Sequence, residues 1–263
     1  MIGHIPRNID DYNIIDKTAY NPHPERFQNS LYRNLAGLHN WIHKYHIIDK
    51  KVLEVGCGTG YIQDIIDKYF GLDITIDYKL FIHKPFINGS ADSLPFADST
   101  FDVVISHWVL EHIPAPHLML NEIRRILKPG GMIFLIAAYS VDTWVSQGIH
   151  KRPYSDLTMK QKLTKISIPV RKSTPYRIII RLSYRIIDMS NYLLNRKPTQ
   201  LRYKHLIPNL EKYWDYDADA FASIDSYSTA LYFLSRGDKP VYPAGFMRSL
   251  IHKSQPLVFV INK

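Results

Sequence analysis

The stretch that decides the fold is Glu54-Val55-Gly56-Cys57-Gly58-Thr59-Gly60. The apolar residues within 51–55 predict a short β-strand, because aliphatic and β-branched side chains favour strands. Three glycines at alternate positions then allow the backbone to approach a ligand closely and to direct free N–H groups towards it. The segment therefore predicts a strand, a ligand-binding loop and a helix. A tight turn that binds nothing is the alternative.

Strands and helices are predicted to alternate beyond this loop. In chain order, the pattern indicates a helix over 61–69, strands over 70–74 and 101–106, a helix over 116–127 that is ended by Pro129-Gly130-Gly131, and a strand over 132–138. The strand at 101–106 is almost continuously apolar, which is typical of a strand buried on both faces of a parallel sheet. The alternation predicts βαβ units and a doubly wound α/β sheet.

Regular structure is also predicted on both sides of this region. The additional elements are a helix over 24–46, a helix over 226–236, a short strand near Val241 and a strand over 257–261. Residues 151–212 differ, because they carry 15 Lys and Arg side chains against 3 Asp and Glu. We expect one domain over 1–263, with its core at 24–140 and 213–263 and a basic helical insertion at 151–212.

The glycine spacing distinguishes between the common nucleotide-binding loops. A dinucleotide fingerprint, G-x-G-x-x-G, would need a glycine at position 61, where Tyr61 stands. A Walker A loop would need Gly-Lys-Ser/Thr, which does not follow here. Asp73 lies 13 residues after Gly60, at the end of the next predicted strand. A carboxylate in this position can accept hydrogen bonds from both hydroxyls of a ribose.

The tighter spacing G-x-G-x-G, preceded by the acidic Glu54, resembles motif I of the class I S-adenosylmethionine (SAM)-dependent methyltransferases. Four further passages are similar to later motifs of this family at the family's spacing: 88–96, 99–104, 106–113 and 123–131. The closest pattern is the small-molecule "type 11" group, which includes quinone-biosynthesis enzymes. The resemblance covers residues 50–140. It implies a Rossmann-like, mostly parallel seven-stranded sheet and SAM as the cofactor. The charge pattern separately predicts the basic helical insertion in this fold.

The resemblance also implies which residues contact the cofactor. It places the glycine loop at the methionyl end of SAM, Asp73 at the ribose and the passage 88–96 beside the adenine. The expected cofactor-binding residues are Glu54, Gly56, Cys57, Gly58, Gly60, Asp73, Ile74, Ser90, Ala91, Asp92 and His107. The family usually has an aspartate at the position of Ser90, and Asp92 is the candidate that replaces its carboxylate.

Two histidines are candidates for catalysis. Methyl transfer is an in-line displacement, in which the protein aligns the acceptor and, for a hydroxyl, removes a proton. The acceptor is expected at the carboxyl end of the strand 101–106. His107 is the first candidate base, because an imidazole titrates near neutral pH, and His112 is the second. A structural role is the alternative for each. Cys57, the only cysteine, is interpreted as a packing residue, and no metal ligand is assigned.

Three carboxylates follow the basic insertion, at Asp217, Asp219 and Asp225. Their spacing suggests contacts to the acceptor, such as sugar hydroxyls, or to a metal. Aspartate also caps helices and forms turns, so a structural role stays open for all three.

The composition excludes several classes of protein. The 263 residues include 33 Lys and Arg against 24 Asp and Glu, a formal net charge of +9, and 46% are hydrophobic. Such a chain is neither intrinsically disordered nor collagen-like. It has no apolar run of about 18 residues that would predict a membrane span, and its first residues do not resemble a signal peptide. We expect a cytoplasmic protein, with peripheral contact at the inner membrane face as one option.

The positive charge is concentrated around one predicted helix, 176–194. Arg177, Arg181 and Arg185 recur every four residues and would form one stripe. The apolar face expected opposite comprises Ile179, Leu182, Ile186, Met189 and Leu193. With flanking bases over 171–197, such a helix could lie on a membrane or bind nucleic acid. It could also cap the acceptor pocket, with its apolar face inward and its arginines solvated. A solvated basic face without a partner is the fourth interpretation.

Together these features predict a SAM-dependent methyltransferase that acts at oxygen on a small-molecule or lipid-linked acceptor, with saccharides among the candidates. A quinone-type C-methyltransferase is the nearest alternative. An RNA methyltransferase agrees with the basic composition, but the sequence has no recognised RNA-binding module, and nucleic acid is not an expected partner. A noncatalytic SAM-binding module is the third alternative.

Overall fold

The structure is a computed structural model that describes residues 37–195, 197–209, 213, 217–241 and 256–263. The first part of the helix predicted over 24–46 lies outside the described residues. Residues 37–44 are helical and are designated α1.

The elements that follow alternate much as the sequence predicts. In chain order they are β1 (Lys51–Val55), β2 (Lys68–Asp73), β3 (Phe86–Asn88), β4 (Phe101–His107), α2 (Pro116–Ile126), β5 (Leu127–Ile136), α3 (Thr143–Ser146), α4 (Met159–Lys172), α5 (Thr174–Asn195), β6 (Tyr203–His205), β7 (Ala222–Ile224), α6 (Ser226–Leu234), β8 (Lys239–Pro240) and β9 (Leu257–Val260). Short 3-10 helices cover Ile76–Phe81, Leu110–His112 and Tyr154–Asp156.

Seven strands form one sheet in the order β3-β2-β1-β4-β5-β9-β8. The first five strands are parallel, and β9 runs antiparallel to both β5 and β8. The predicted fold class, a Rossmann-like, mostly parallel seven-stranded sheet, is therefore confirmed. Because β1 and β4 are central neighbours, the glycine loop and the end of β4 meet at the same edge of the sheet.

Helices cover both faces of the sheet, which explains the apolar run Val103-Val104-Ile105 at the centre of β4. Val103 and Ile105 belong to a buried cluster that includes Trp41 of α1. Val104, on the opposite face, belongs to a second cluster that includes Ile123 of α2. Successive side chains of a strand point to opposite faces, so a strand covered on both sides must be apolar throughout.

The helix predicted over 61–69 does not form. Residues 61–65 make successive turns, with hydrogen bonds from Gln63 N to Gly60 O (3.1 Å) and from Ile65 N to Ile62 O (3.0 Å). β2 begins at Lys68, which pairs with Lys51 of β1. Sheet pairing therefore takes the residues that would complete the helix, and the remaining segment is shorter than the roughly 12 residues over which helices become stable by themselves.

The basic insertion contains two helices that are separated by Ser173 alone. A capping box begins α4, in which the Thr158 side chain accepts from Gln161 N and the Gln161 side chain accepts from Thr158 N. A two-stranded antiparallel sheet of β6 and β7, which the sequence pattern did not indicate, follows. None of the described helices combines the length and apolar composition that a membrane span requires.

The arginine stripe of α5 faces the domain, so the interpretation of these arginines as merely solvated is wrong. Arg185 is buried, and its Nε and Nη2 atoms donate to the Asp225 carboxylate at 3.0 and 2.6 Å. Arg177 Nη2 lies 3.4 Å from Asp142 Oδ2. These two acids lie on the domain surface beneath α5 and draw the charged side of the helix inward. The expected apolar face is split, since Leu182 and Met189 are half-buried, whereas the residues exposed to solvent are Ile179, Ile186 and Leu193.

The Arg185–Asp225 pair predicts a large effect on stability. Asp225 also caps α6, because its side chain accepts from Tyr227 N and Ser228 N. We expect Asp225→Ala to lower the free energy of unfolding by about 3–5 kcal/mol in urea titrations, since the change removes both the buried charge partner and the cap.

Asp188→Ala is the matched control. Asp188 pairs with Arg202, whose side chain is 45% exposed, so this loss should stay below about 1 kcal/mol. Equal losses in the two variants would contradict the importance of the buried pair.

Candidate functional site

The glycine loop follows β1 with a left-handed backbone at all three glycines. The φ angles are 70° at Gly56, 50° at Gly58 and 71° at Gly60, a region that side chains other than glycine rarely occupy. A Cβ atom at Gly56 would overlap Cγ2 of Val109, whereas a Cβ at Gly58 would enter open space. Gly56 is therefore required for packing. Gly58 leaves open space beside its Cα, which we call the recess, and a ligand can fill this space.

Asp73 ends β2 directly beside this loop. Its carboxylate accepts from Gly58 N and Thr75 N, both at 2.9 Å. Burial raises the pKa of Asp73 and outweighs the opposite effect of the backbone donors. The sheet thus brings together the loop glycines and the acidic residue that the sequence predicted at the ribose.

The passage expected beside the adenine lies next to Asp73. Asn88 Nδ2 donates to the carbonyls of Asp73 (3.1 Å) and Ile74 (2.7 Å). Ser90 Oγ donates to Asp92 Oδ1 at 2.5 Å. Ser90 and Asp92 therefore act as one hydrogen-bonded unit, which places a carboxylate beside the position where the family usually carries one.

α2 holds the end of this passage in place. Glu122 Oε2 accepts from Leu94 N, and Arg125 donates to the carbonyls of Leu94 and Phe96. Ala91, within the same turn, is buried. The passage is thus fixed by side chains of the helix that follows β4.

The end of β4 carries buried polar atoms. Ser106 Oγ and His107 Nε2 are buried without a hydrogen-bond partner among the described residues. Trp108 has a φ of 57°, which is unusual for an aromatic residue, and its ring stacks on that of His107 with centroids 4.4 Å apart. Burial lowers the pKa of His107 to about 4, so its imidazole is neutral at physiological pH.

His112 lies between two carboxylates. Its Nδ1 is 3.6 Å from Asp219 Oδ2, and its Nε2 is 3.9 Å from Oε1 of the buried Glu111. Burial alone would lower the pKa of His112, but Glu111, Asp219 and Asp217 raise it above its ordinary value. Burial raises the pKa of Glu111 to about 7, and Phe221 N donates to the Glu111 carbonyl at 2.9 Å.

The other predicted carboxylates have different environments. Asp225 caps α6 and pairs with Arg185, so the structure gives it a structural role. Asp217 lies in a turn with a φ of 61°. Within the described ranges, no group of three or more His, Cys, Asp or Glu side chains is arranged to hold a metal ion.

Comparison with known proteins agrees with this geometry. Residues 53–135 match the family model described as a methyltransferase domain. Residues 53–135 therefore form a methyltransferase domain of the class I SAM-dependent type. An uncharacterised methyltransferase of Mycobacterium leprae is 30% identical over 129 residues, which cover 43% of this chain and 48% of the relative. An uncharacterised protein of Methanocaldococcus jannaschii is 32% identical over 134 residues, or 49% of this chain and 50% of the relative.

The alignments span about half the length of these curated relatives. A solved structure of a protein from Pyrococcus horikoshii OT3 is 26% identical to this chain. The alignment covers 47% of this chain and 64% of the Pyrococcus chain, with a TM-score of 0.37.

SAM is the cofactor of this class of methyltransferase domain, and the residues present fit it. The recess over Gly58 can receive the ligand, and the Asp73 carboxylate borders that recess. Ser106 Oγ and His107 Nε2 provide buried polar atoms at the neighbouring strand end. When bound, SAM supplies a methyl group that its sulfonium charge has already activated.

Three residues at the methyltransferase site were missed by the sequence analysis. Val109 packs on Gly56, Tyr69 donates its hydroxyl proton to Glu54 Oε2 at 2.6 Å, and Glu111 is a buried neighbour of His112. Only Glu111 has a signal in the sequence, because it is a carboxylate that follows the apolar Val109 and Leu110. Cys57, as expected, is buried in the core, and burial raises the pKa of its thiol.

The buried carboxyls of the methyltransferase site predict how stability depends on pH. Burial raises the pKa of Glu54 from 4.5 to about 8, so the folded chain holds this proton more tightly than the unfolded chain does. The resulting stabilisation is complete below pH 4.5 and is lost as the pH rises to about 8. One such group changes the free energy of unfolding by at most about 1.4 kcal/mol per pH unit.

We therefore expect Glu54→Gln to decrease the slope of unfolding free energy against pH in this window, measured by urea titration. Glu111 should account for a residual slope up to about pH 7. Glu122→Gln is the control, because Arg125 lowers the pKa of Glu122 and its titration ends below the window. An unchanged slope in Glu54→Gln would show that Glu54 is ionised in the folded protein.

Proposed function

We propose that this chain transfers a methyl group from SAM to a hydroxyl oxygen of a small-molecule or lipid-linked acceptor, with saccharides among the candidates. The observation that carries this proposal is the position of His112 between Asp219 and Glu111. A hydroxyl must lose its proton as its oxygen bonds to the methyl carbon, and an imidazole flanked by carboxylates is suited to accept it.

The two ring nitrogens of His112 have different roles in this proposal. Nδ1 is the nearer to a carboxylate, at 3.6 Å from Asp219 Oδ2, and is assigned the proton in the neutral ring. Nε2 is then the acceptor. The negative charge of Asp219 stabilises the imidazolium that forms, and Glu111 adds its own negative charge as the pH rises past its pKa of about 7. Val109 connects this base to the cofactor loop, because it packs on Gly56 three residues before His112.

Ser106 and His107 are assigned to positioning of the acceptor. The neutral His107 ring, with its pKa near 4, is too weak a base for neutral pH. Its Nε2 and the Ser106 hydroxyl can instead form hydrogen bonds with the acceptor at the carboxyl end of β4, where ligands of open α/β sheets bind.

The first test is of cofactor binding by calorimetry with SAM. Gly58→Ala should weaken SAM binding by more than about tenfold, because the added Cβ enters the recess. Gly130→Ala is the matched control, since Gly130 also has a positive φ, of 78°, and open space around its Cα, but lies in β5 away from the loop. Equal effects of the two changes, or no SAM binding by the wild type, would contradict the site.

The second test is of the base. Wild-type protein would be incubated with SAM labelled in the methyl group and with separate lipid and water-soluble extracts, and the labelled product identified by mass spectrometry and NMR. His112→Asn should lower kcat about 10²–10⁴-fold on that acceptor, with SAM affinity unchanged. The wild-type rate should rise with pH as His112 loses its proton above pH 6.5, and the variant should lack this rise.

His43→Asn, a change of an exposed histidine on α1, is the control for the loss of an imidazole. A variant His112→Asn with wild-type kcat would exclude the proposed base. A product methylated at carbon would favour the quinone-type alternative. Labelled RNA would favour the RNA methyltransferase, and SAM binding without turnover would favour a noncatalytic module.

A further inference from the structure

The insertion exposes apolar side chains on its solvent side. On α4 these are Met159, Leu163, Ile166 and Val170, which recur at helical spacing. On α5 they are Tyr176, Ile179, Ile180, Ile186, Ile187, Leu193 and Leu194. We refer to this set as the outer face. Soluble monomers rarely expose so many large apolar side chains along two consecutive helices, so these helices mark an interaction site.

The outer face has no charged residue on α5. The charged residues of this helix, from Arg177 to Asp188, lie on its inner side, where Arg185 pairs with Asp225 and Arg177 with Asp142. α5 therefore directs its charged side chains towards the domain and most of its large exposed apolar side chains towards solvent. The inner ion pairs hold this orientation, and the outer face cannot turn towards the acceptor as a lid without breaking them.

The charge of the insertion indicates what covers the outer face. Apart from the charged residues on the inner side of α5, residues 151–195 carry 7 Lys and Arg side chains against 1 Asp. By helical geometry, Lys160 and Lys162 lie on the two sides of the apolar stripe of α4, and Lys172 is exposed at its end. An apolar stripe with lysines beside it fits an interface of acyl chains and anionic headgroups. A second copy of this chain would instead bring the same positive charge.

We propose that the outer face docks on a membrane surface that contains anionic lipids. Exposed isoleucine and leucine side chains enter the boundary between headgroups and acyl chains, while Lys160, Lys162 and Lys172 contact anionic headgroups. This docking goes beyond methyl transfer, and it would bring the domain to a lipid-linked acceptor.

The test is sedimentation of the 263-residue chain with vesicles. It needs neither SAM nor an acceptor, so it fails or succeeds separately from the proposed activity. Wild type should bind vesicles made of equal parts phosphatidylcholine and phosphatidylglycerol, and should stay in solution with phosphatidylcholine alone. The triple variant Ile179→Asn, Ile186→Asn, Leu193→Asn should bind anionic vesicles about tenfold more weakly or worse, because each change removes an apolar side chain from the interface.

Two control variants separate the contributions. The first control, Leu80→Asn, Leu118→Asn, Ile207→Asn, removes three exposed apolar side chains that are not part of the outer face and should bind as wild type does. Lys160→Gln, Lys162→Gln, Lys172→Gln should bind about a hundredfold more weakly at low salt, since each cation near an anionic surface contributes about fivefold. Circular dichroism of each variant checks that it is folded.

Equal binding by the wild type and the outer-face triple variant would overturn the proposal. A wild type that does not bind anionic vesicles at low salt would overturn it as well. Sedimentation velocity gives the remaining outcome. A wild-type dimer that the same triple variant dissociates would identify the outer face as a contact between copies of this chain, and would also overturn membrane docking.

Discussion

The packing of Val109 on Gly56 determines the geometry of the whole site. The space beside Gly56 is filled by the Val109 side chain, so no Cβ atom fits there. Only this valine side chain therefore separates the backbone of the loop after β1 from the segment after β4. This contact joins the recess over Gly58 to the 3-10 helix Leu110–His112 that carries the proposed base. The parallel pairing of β1 and β4 brings the two segments to one edge of the sheet, and the glycine then sets their separation.

The features predicted correctly from the sequence are those that depend on local stereochemistry or on burial. The strands were predictable because a sheet covered on both faces requires apolar residues at successive positions, as in β4. The glycine loop was predictable because a left-handed backbone at Gly56, Gly58 and Gly60 excludes most other residues. The resemblance added Asp73, which the structure places beside Gly58 N.

The features that were missed depend on partners distant in the sequence. Arg185 faces inward because of Asp225, 40 residues later, and Arg177 because of Asp142, 35 residues earlier. Helical periodicity grouped the arginines correctly but could not show which side of the helix the domain covers. The helix over 61–69 failed for a similar reason, since the pairing of Lys68 with Lys51 ends it early. For the histidines, only the structure shows that Asp219 approaches His112 and that burial lowers the pKa of His107.

The same ion pair that orients α5 also connects the outer face to the proposed base. Asp225 accepts from Arg185 and caps α6, and it directly follows β7, whose Ile224 carbonyl accepts from Ser140 N at 2.7 Å. Immediately before β7, Phe221 N donates to the carbonyl of Glu111, the neighbour of His112. A continuous set of hydrogen bonds and ion pairs therefore runs from α5 through β7 to the site. These contacts connect the insertion to the site. A surface that holds the outer face would therefore also determine the direction in which the proposed acceptor site opens.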